Sequence, residues 1–140
     1  MTLRAFSPNF AVSDIRKSVA FYKENFGFNL VMGVPVSQDS VDTDFIEGKE
    51  YVYAMINKDN ISLMFQKDDS FYDDIILADR CQIGASVSFY FDVEDLDELY
   101  ESLQNKKLNM TEIKMTWYGQ REFYIKDNNG YILCFAKQAE

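Results

Sequence analysis

Three observations predict an α+β protein built as two tandem βαβββ modules. The first is Arg121 to Phe135 (REFYIKDNNGYILCF), where two apolar runs flank Asp127-Asn128-Asn129-Gly130. Asn, Asp and Gly tolerate positive φ at little cost, so this is the turn chemistry that joins antiparallel strands. The second is its twin. Sliding back 70 positions without a gap lays it on Tyr51 to Phe65 (YVYAMINKDNISLMF). Phe123 then falls on Tyr53, Asp127-Asn128 on Asn57-Lys58, and Leu133-Cys134-Phe135 on Leu63-Met64-Phe65. The third is that Phe10-Ala11-Val12-Ser13-Asp14-Ile15 lies on Phe91-Asp92-Val93-Glu94-Asp95-Leu96, at an offset of 81. A strand-to-helix junction and a hairpin each occur twice, in the same order.

The elements follow in sequence. Ser7 to Val12 reads as a short strand, with Pro8 near its start where a missing N–H is tolerable. Asp14 stands at a helix N-cap, Ile15, Val19, Tyr22 and Phe26 recur at helical spacing, and Gly27 supplies the stop. Phe28 to Met32 is a strand, Ser37 to Lys49 a polar loop, and Glu50 to Gln66 the first hairpin. Lys67 to Cys81 is an acidic connector with room for a helical turn. Ala85 to Val93 is strongly β-prone. Asp95, with Glu98 completing a capping box, opens a helix whose apolar positions are Leu96, Leu99, Tyr100 and Leu103. Leu108 to Met115 reads as a strand, Thr116 to Gln120 as a loop, and the second hairpin closes the chain. The chain of 140 residues, 47% apolar, suffices for one domain: module one at about 1–66, connector 67–84, module two 85–140.

Composition narrows the function. A formal charge of −9 argues against nucleic acid, whose phosphates would be repelled. No apolar run is long enough for a transmembrane helix, and the first ten residues lack a signal peptide's basic and apolar blocks, so a cytoplasmic protein without membrane contact is expected. Two cysteines, Cys81 and Cys134, give no disulfide framework. There is no histidine, so imidazole metal sites and histidine general bases are excluded.

Val12 to Tyr22 (VSDIRKSVAFY) followed by Gly27-Phe28, then Phe91 to Asp97 (FDVEDLD), then Tyr118 to Phe123 with Lys126-Asp127 and Gly130-Tyr131, together resemble the vicinal oxygen chelate superfamily. That group contains glyoxalase I, extradiol dioxygenases, and fosfomycin- and bleomycin-resistance proteins. The resemblance spans nearly the whole chain. It implies a curved mixed sheet with a concave cavity on one face and helices on the outer face. In metal-using members four ligands, typically His, Glu or Gln, come from that concave face. Carried over through the two repeat offsets, the quartet here is Ser7, Met64, Ser88 and Cys134. Two hydroxyls, a thioether and a thiol do not suit Mg²⁺, Mn²⁺, Fe²⁺ or Ni²⁺. No metal or other cofactor is therefore expected.

Strand alternation sorts the remaining residues. Ser88, Tyr90 and Asp92, Ile132, Cys134 and Ala136, and Glu122 and Tyr124 point to the cavity, joined by Asn9 and Ala11 and by Ser62, Met64 and Gln66. Trp117 and Tyr118 sit on a loop at its mouth. Aromatic walls with a few polar groups make a small-molecule pocket. Among the family branches this lining most resembles the bleomycin-resistance proteins, metal-free dimers that sequester a planar cationic drug. The expected ligand contacts are Ser7, Asn9, Met64, Ser88, Tyr90, Trp117, Tyr118, Glu122, Tyr124 and Cys134. Three roles are open to Glu122: a carboxylate facing a cationic ligand, a general base, or an ion-pair partner of Arg121. Cys134 reads as a small buried hydrophobe, and Tyr90 and Tyr124 either line the pocket or fill it. The expected function is non-enzymatic binding of a small aromatic or amphipathic compound, a cationic one included, by a homodimer that completes the open sheet. A metal-independent isomerase or lyase using Glu122 or Tyr124 is the alternative.

Overall fold

The computed structural model describes residues 1–78, 80 and 87–140. The chain divides into two compact units, Met1–Cys81 and Gln82–Glu140, with the division inside the expected connector. Cys81 and the expected strand start at Ala85 lie outside the described residues.

Module one runs β1 (Asn9–Val12), α1 (Ile15–Phe26), β2 (Asn29–Pro35), β3 (Tyr51–Lys58), β4 (Ile61–Lys67), then a connector helix α2 (Asp68–Asp74). Its sheet has the order β1-β4-β3-β2, with β1 parallel to β4 and the other pairs antiparallel. Helix α1 forms where the sequence places it. Asp14 is extended at φ −148° and its carboxylate accepts the Lys17 N–H at 3.0 Å. Gly27 takes φ 76°, and the N–H groups of Gly27 and Phe28 return to the Lys23 and Tyr22 carbonyls. That left-handed stop is one only a residue without Cβ adopts freely. The apolar stripe Ile15, Val19, Tyr22, Phe26 is buried. Tyr22 is fully enclosed, its ring 5.2 Å from Phe65, which in turn meets Phe10 edge-on at 5.6 Å.

The polar tract after β2 is tied down. Asp42 exchanges both backbone bonds with Gly33 at 2.8 Å, and its carboxylate accepts from the Tyr51 hydroxyl at 2.6 Å and Lys49 Nζ at 3.1 Å. Arg16 on α1 donates to the Ile46 and Lys49 carbonyls and lies over the Phe45 and Tyr51 rings at 5.0 and 5.2 Å.

Module two repeats the plan with β5 (Ser88–Asp92), α3 (Leu96–Leu103), β6 (Lys114–Met115), β7 (Gln120–Lys126) and β8 (Ile132–Gln138), in the sheet order β5-β8-β7-β6. Again the first and last strands are parallel and the rest antiparallel. Leu96 and Leu103 of α3 are buried, and Tyr100 meets Phe123 edge-on at 5.2 Å. Each sheet thus has one face under its own helix, α1 or α3, and a second, open face, which in module one receives α2 through Gln66, Ser70 and Asp74.

Three expectations are corrected. The gapless hairpin repeat fails by one residue on one strand. β4 and β8 keep the offset of 70, since Asn9 pairs with Met64 and Tyr90 with Cys134. Across the turn, however, Met55 pairs with Met64 whereas Tyr124 pairs with Cys134, so Glu122, not Phe123, stands where Tyr53 does. The cause is turn length. β3 runs through Asn57-Lys58 and turns at Asp59-Asn60, with Asp59 at φ 52°. In module two the turn spans Asp127 to Tyr131, where the Asp127 carboxylate accepts the Asn129 and Tyr131 N–H groups at 2.8 and 2.9 Å. Secondly, Leu108 to Met115 is not a regular strand. Only Lys114–Met115 pairs in the sheet, while Met110 makes an isolated bridge to Ile125. Thirdly, Asp95 does not form a capping box. At φ −110°, ψ 49° its side chain makes no capping bond to the helix. The first expected strand also starts later, at Asn9, and the second extends to Pro35.

Candidate functional site

The open face of module two reads in three rows across β5, β8 and β7. Ser88, Ile132 and Lys126 form one, Tyr90, Cys134 and Tyr124 the next, and Asp92, Ala136 and Glu122 the third. Lys114 of β6 pairs with Glu122 at the edge. The third row carries the most telling group. Glu122 is 5% exposed, yet Oε2 has no hydrogen-bond partner among the described residues, while Oε1 accepts from the Tyr118 hydroxyl at 2.9 Å and the Tyr124 hydroxyl at 3.3 Å. Arg121 points to the other face and forms a bidentate pair with Asp97 of α3, at 2.7 and 2.9 Å. Of the roles open to Glu122, the ion pair with Arg121 is thereby removed, because adjacent strand residues face opposite ways.

A buried carboxylate oxygen left without a donor is costly, so its surroundings are informative. They are aromatic. Trp117 meets Tyr118 edge-on at 5.3 Å and is 94% exposed, and Tyr90 reaches Gln120 Oε1 at 3.4 Å. Burial, the Cys134 sulfur and Glu122 push the Tyr124 hydroxyl up to about 12. Burial and then Glu122 push the Cys134 thiol up to about 11. Accepting the Tyr118 hydroxyl's bond, Glu122 also raises that group. At neutral pH all three keep their protons, and Cys134 is a buried thiol rather than a nucleophile.

Beside the first two rows lies a cavity of about 390 Å³ lined by Ser88, Met110, Thr111, Tyr124, Lys126 and Ile132 among others. Asn109, Met110 and Thr111 were not foreseen as lining. They come from the segment that looked like a regular strand but pairs irregularly, with Thr111 bonding Tyr124 and the Asn109 carbonyl accepting from Lys126. No sequence signal marks that interruption.

On module one, Asn9 and Met64 are paired across β1 and β4, and Ser7 precedes β1. Asn9 Nδ2 donates to Gln66 Oε1 at 3.0 Å, and Gln66 Nε2 donates to Ser70 Oγ and Asp74 Oδ2 at 2.9 and 2.7 Å. The Asp74 carboxylate fixes the direction of both amides and leaves Asn9 Oδ1 buried without a donor.

The quartet Ser7, Met64, Ser88 and Cys134 does not fit the superfamily's metal. Cys134 holds its proton far above neutrality, and hydroxyls and a thioether offer a hard divalent ion little. Among the described residues, no group of three His, Cys, Asp or Glu side chains is placed to hold one.

Comparison with known proteins agrees with this fold. A bleomycin resistance protein of Geobacillus stearothermophilus is 26% identical over 140 residues, covering 94% of each chain, and one of Staphylococcus aureus matches equally. The crystal structure of TioX from Micromonospora sp. ML1 superposes with a TM-score of 0.69 at 16% identity, covering 96% of this chain and 98% of that one. The structure of a bleomycin resistance determinant encoded on the transposon Tn5 gives 0.63 at 16% identity, covering 97% and 98%. The sequence profile of one family matches residues 6–135, nearly the full length. The chain belongs to the Glyoxalase/Bleomycin resistance protein/Dioxygenase superfamily.

Proposed function

We propose that this protein is a metal-free binding protein that sequesters a small aromatic or amphipathic compound, a cationic one included, as a cytoplasmic homodimer. The observation that carries the reading is Glu122, buried with one oxygen lacking a donor among Tyr90, Tyr118 and Tyr124. A carboxylate held by tyrosines supports recognition of an N–H cation, and the aromatic faces add stacking and cation–π attraction. The likeness to bleomycin resistance proteins supports the same class of function. Trp117, Ser88 and Cys134 complete the contacts proposed for module two, and Ser7, Asn9 and Met64 are those proposed for module one. The isomerase or lyase alternative would use Glu122 or Tyr124 as acid or base. With the Tyr124 hydroxyl pushed up to about 12 and the Cys134 thiol to about 11, neither serves as a base at neutral pH, which favours the binding reading. Dimerisation is supported by the open sheet faces and edge strands, which a second copy can cover.

The test is a fluorescence titration of Trp117, the chain's one tryptophan, with planar aromatic compounds, with and without Mn²⁺, Ni²⁺ and Zn²⁺. Saturable quenching indifferent to metal is expected. Binding only in the presence of metal would overturn the metal-free reading, and no response to any compound would overturn binding itself.

A further inference from the structure

The open face of module two is chemically polarised along β7, and this leads beyond a cationic ligand. One strand carries Glu122, Tyr124 and Lys126 on a single face, because residues two apart share a side of the sheet. Across that face the row containing Lys126 holds otherwise only Ser88 and Ile132, with no acid. The row containing Glu122 holds Asp92 and Ala136, with Lys114 opposite at the edge. Glu122 Oε2 still lacks a partner with that lysine as neighbour. Between the two ends lie two tyrosines flanking Cys134, and the Tyr124 ring borders the cavity that Lys126, Ser88 and Ile132 also line. The arrangement is anion, aromatic floor, cation, and four residues of strand separate its ends by about 14 Å.

We infer that the ligand is dipolar: an elongated amphiphile with a protonated amine or guanidinium at one end and a carboxylate at the other. The inference rests on the binding reading above and extends it. The cationic end donates to Glu122 Oε2, the apolar or aromatic body crosses Tyr124 and Cys134, and the anionic end enters the cavity beside Lys126 and the Ser88 hydroxyl. A purely cationic ligand would leave Lys126 and that cavity unused. The overall charge of −9 gives the comparison force. Long-range attraction favours a plain cation over a neutral dipolar molecule, so preference for the dipolar one must come from local contacts.

The experiment is calorimetric titration of the full chain, below micellar concentrations, with 10-aminodecanoate, decylamine and decanoate. A series from 6-aminohexanoate to 12-aminododecanoate supplies the length dependence. We expect 10-aminodecanoate to bind roughly two- to fivefold more tightly than decylamine, the scale of one partly exposed ion pair, with an optimum at an intermediate length. Lys126→Ala is expected to erase its advantage over decylamine, Lys126→Arg to keep it, and Glu122→Gln to erase its advantage over decanoate. Decylamine binding as tightly as the dipolar compound, with Lys126→Ala without effect on their ratio, would overturn the dipolar ligand and leave the binding reading standing. If none of the amphiphiles bound, the dipolar ligand would fall, and the Trp117 titration with planar aromatic compounds would decide the binding reading separately.

Discussion

The two modules treat their helix faces alike and their open faces differently. In each, a short amphipathic helix covers an aromatic core, Tyr22 on Phe65 in one and Tyr100 on Phe123 in the other. On the open face of module one, Asn9, Gln66, Ser70 and Asp74 form a hydrogen-bonded chain that leaves one amide oxygen, Asn9 Oδ1, without a donor among the described residues. Module two instead encloses a carboxylate with tyrosines, and the oxygen left unmet there is a carboxylate's. An amide both donates and accepts and so can hand a hydrogen bond on, as Gln66 does between Asn9 and Asp74, whereas an ionised carboxylate only accepts and needs donors from elsewhere. The repeat therefore keeps the scaffold and varies the side turned away from α1 and α3, which in module one receives α2.

The sharpest break in the comparison lies in the cores. Tyr22→Ala removes a fully buried ring and should cost about 3–5 kcal/mol in denaturant unfolding. Tyr100→Ala removes a half-buried ring and one edge-on contact, and should cost about 1.5 kcal/mol. Equal losses would show that the two helices are anchored equally. On the open face, Glu122→Gln should leave unfolding free energy within about 1 kcal/mol of the parent while weakening cationic aromatic ligands roughly tenfold in the Trp117 titration. Loss of stability without loss of affinity would make Glu122 a structural group.

Smaller differences separate the helix starts. Asp14→Ala should cost about 1 kcal/mol and Asp95→Ala only a few tenths, because only Asp14 makes the capping bond. Thermal melts of the two variants decide it. Acid provides the mildest probe. Hydrogen bonds from Tyr51 and Lys49 hold Asp42 below its ordinary value of 3.8, and the Arg121 guanidinium does the same for Asp97. A lowered folded value means the contribution is complete above 3.8 and disappears as pH falls through the lowered values. Melting temperature should therefore decline below about pH 4, and Asp42→Asn should flatten that decline.

Much of this was legible in the chain. Asp14 and Gly27 bracket α1, the Asp127–Gly130 turn joins β7 to β8, and the two offsets locate β1 against β4 and β5 against β8. Alternation alone placed Glu122 and Tyr124 on the same side as Cys134. Other features depended on three-dimensional neighbours. Leu108 to Met115 carries strand-like alternation, yet Thr111 spends its hydroxyl on the Tyr124 N–H and only two residues join the ladder. Arg121 and Glu122 are adjacent in sequence and look like a pair, until the pleat sends Arg121 to Asp97. Capping motifs are equally ambiguous, since Asp95-x-x-Glu98 has the right letters with the wrong backbone angles.

The unequal hairpin turns bear on how such a protein could be rebuilt. Two residues at Asp59-Asn60 against five at Asp127–Tyr131 shift one strand by a single position relative to its repeat. An engineer grafting one hairpin onto the other by aligned sequence would turn every side chain of the incoming strand inside out, setting Phe123 where ligand is proposed to lie. Crossover points for recombining the halves belong inside the turns, where a change of length is harmless and a change of parity is not.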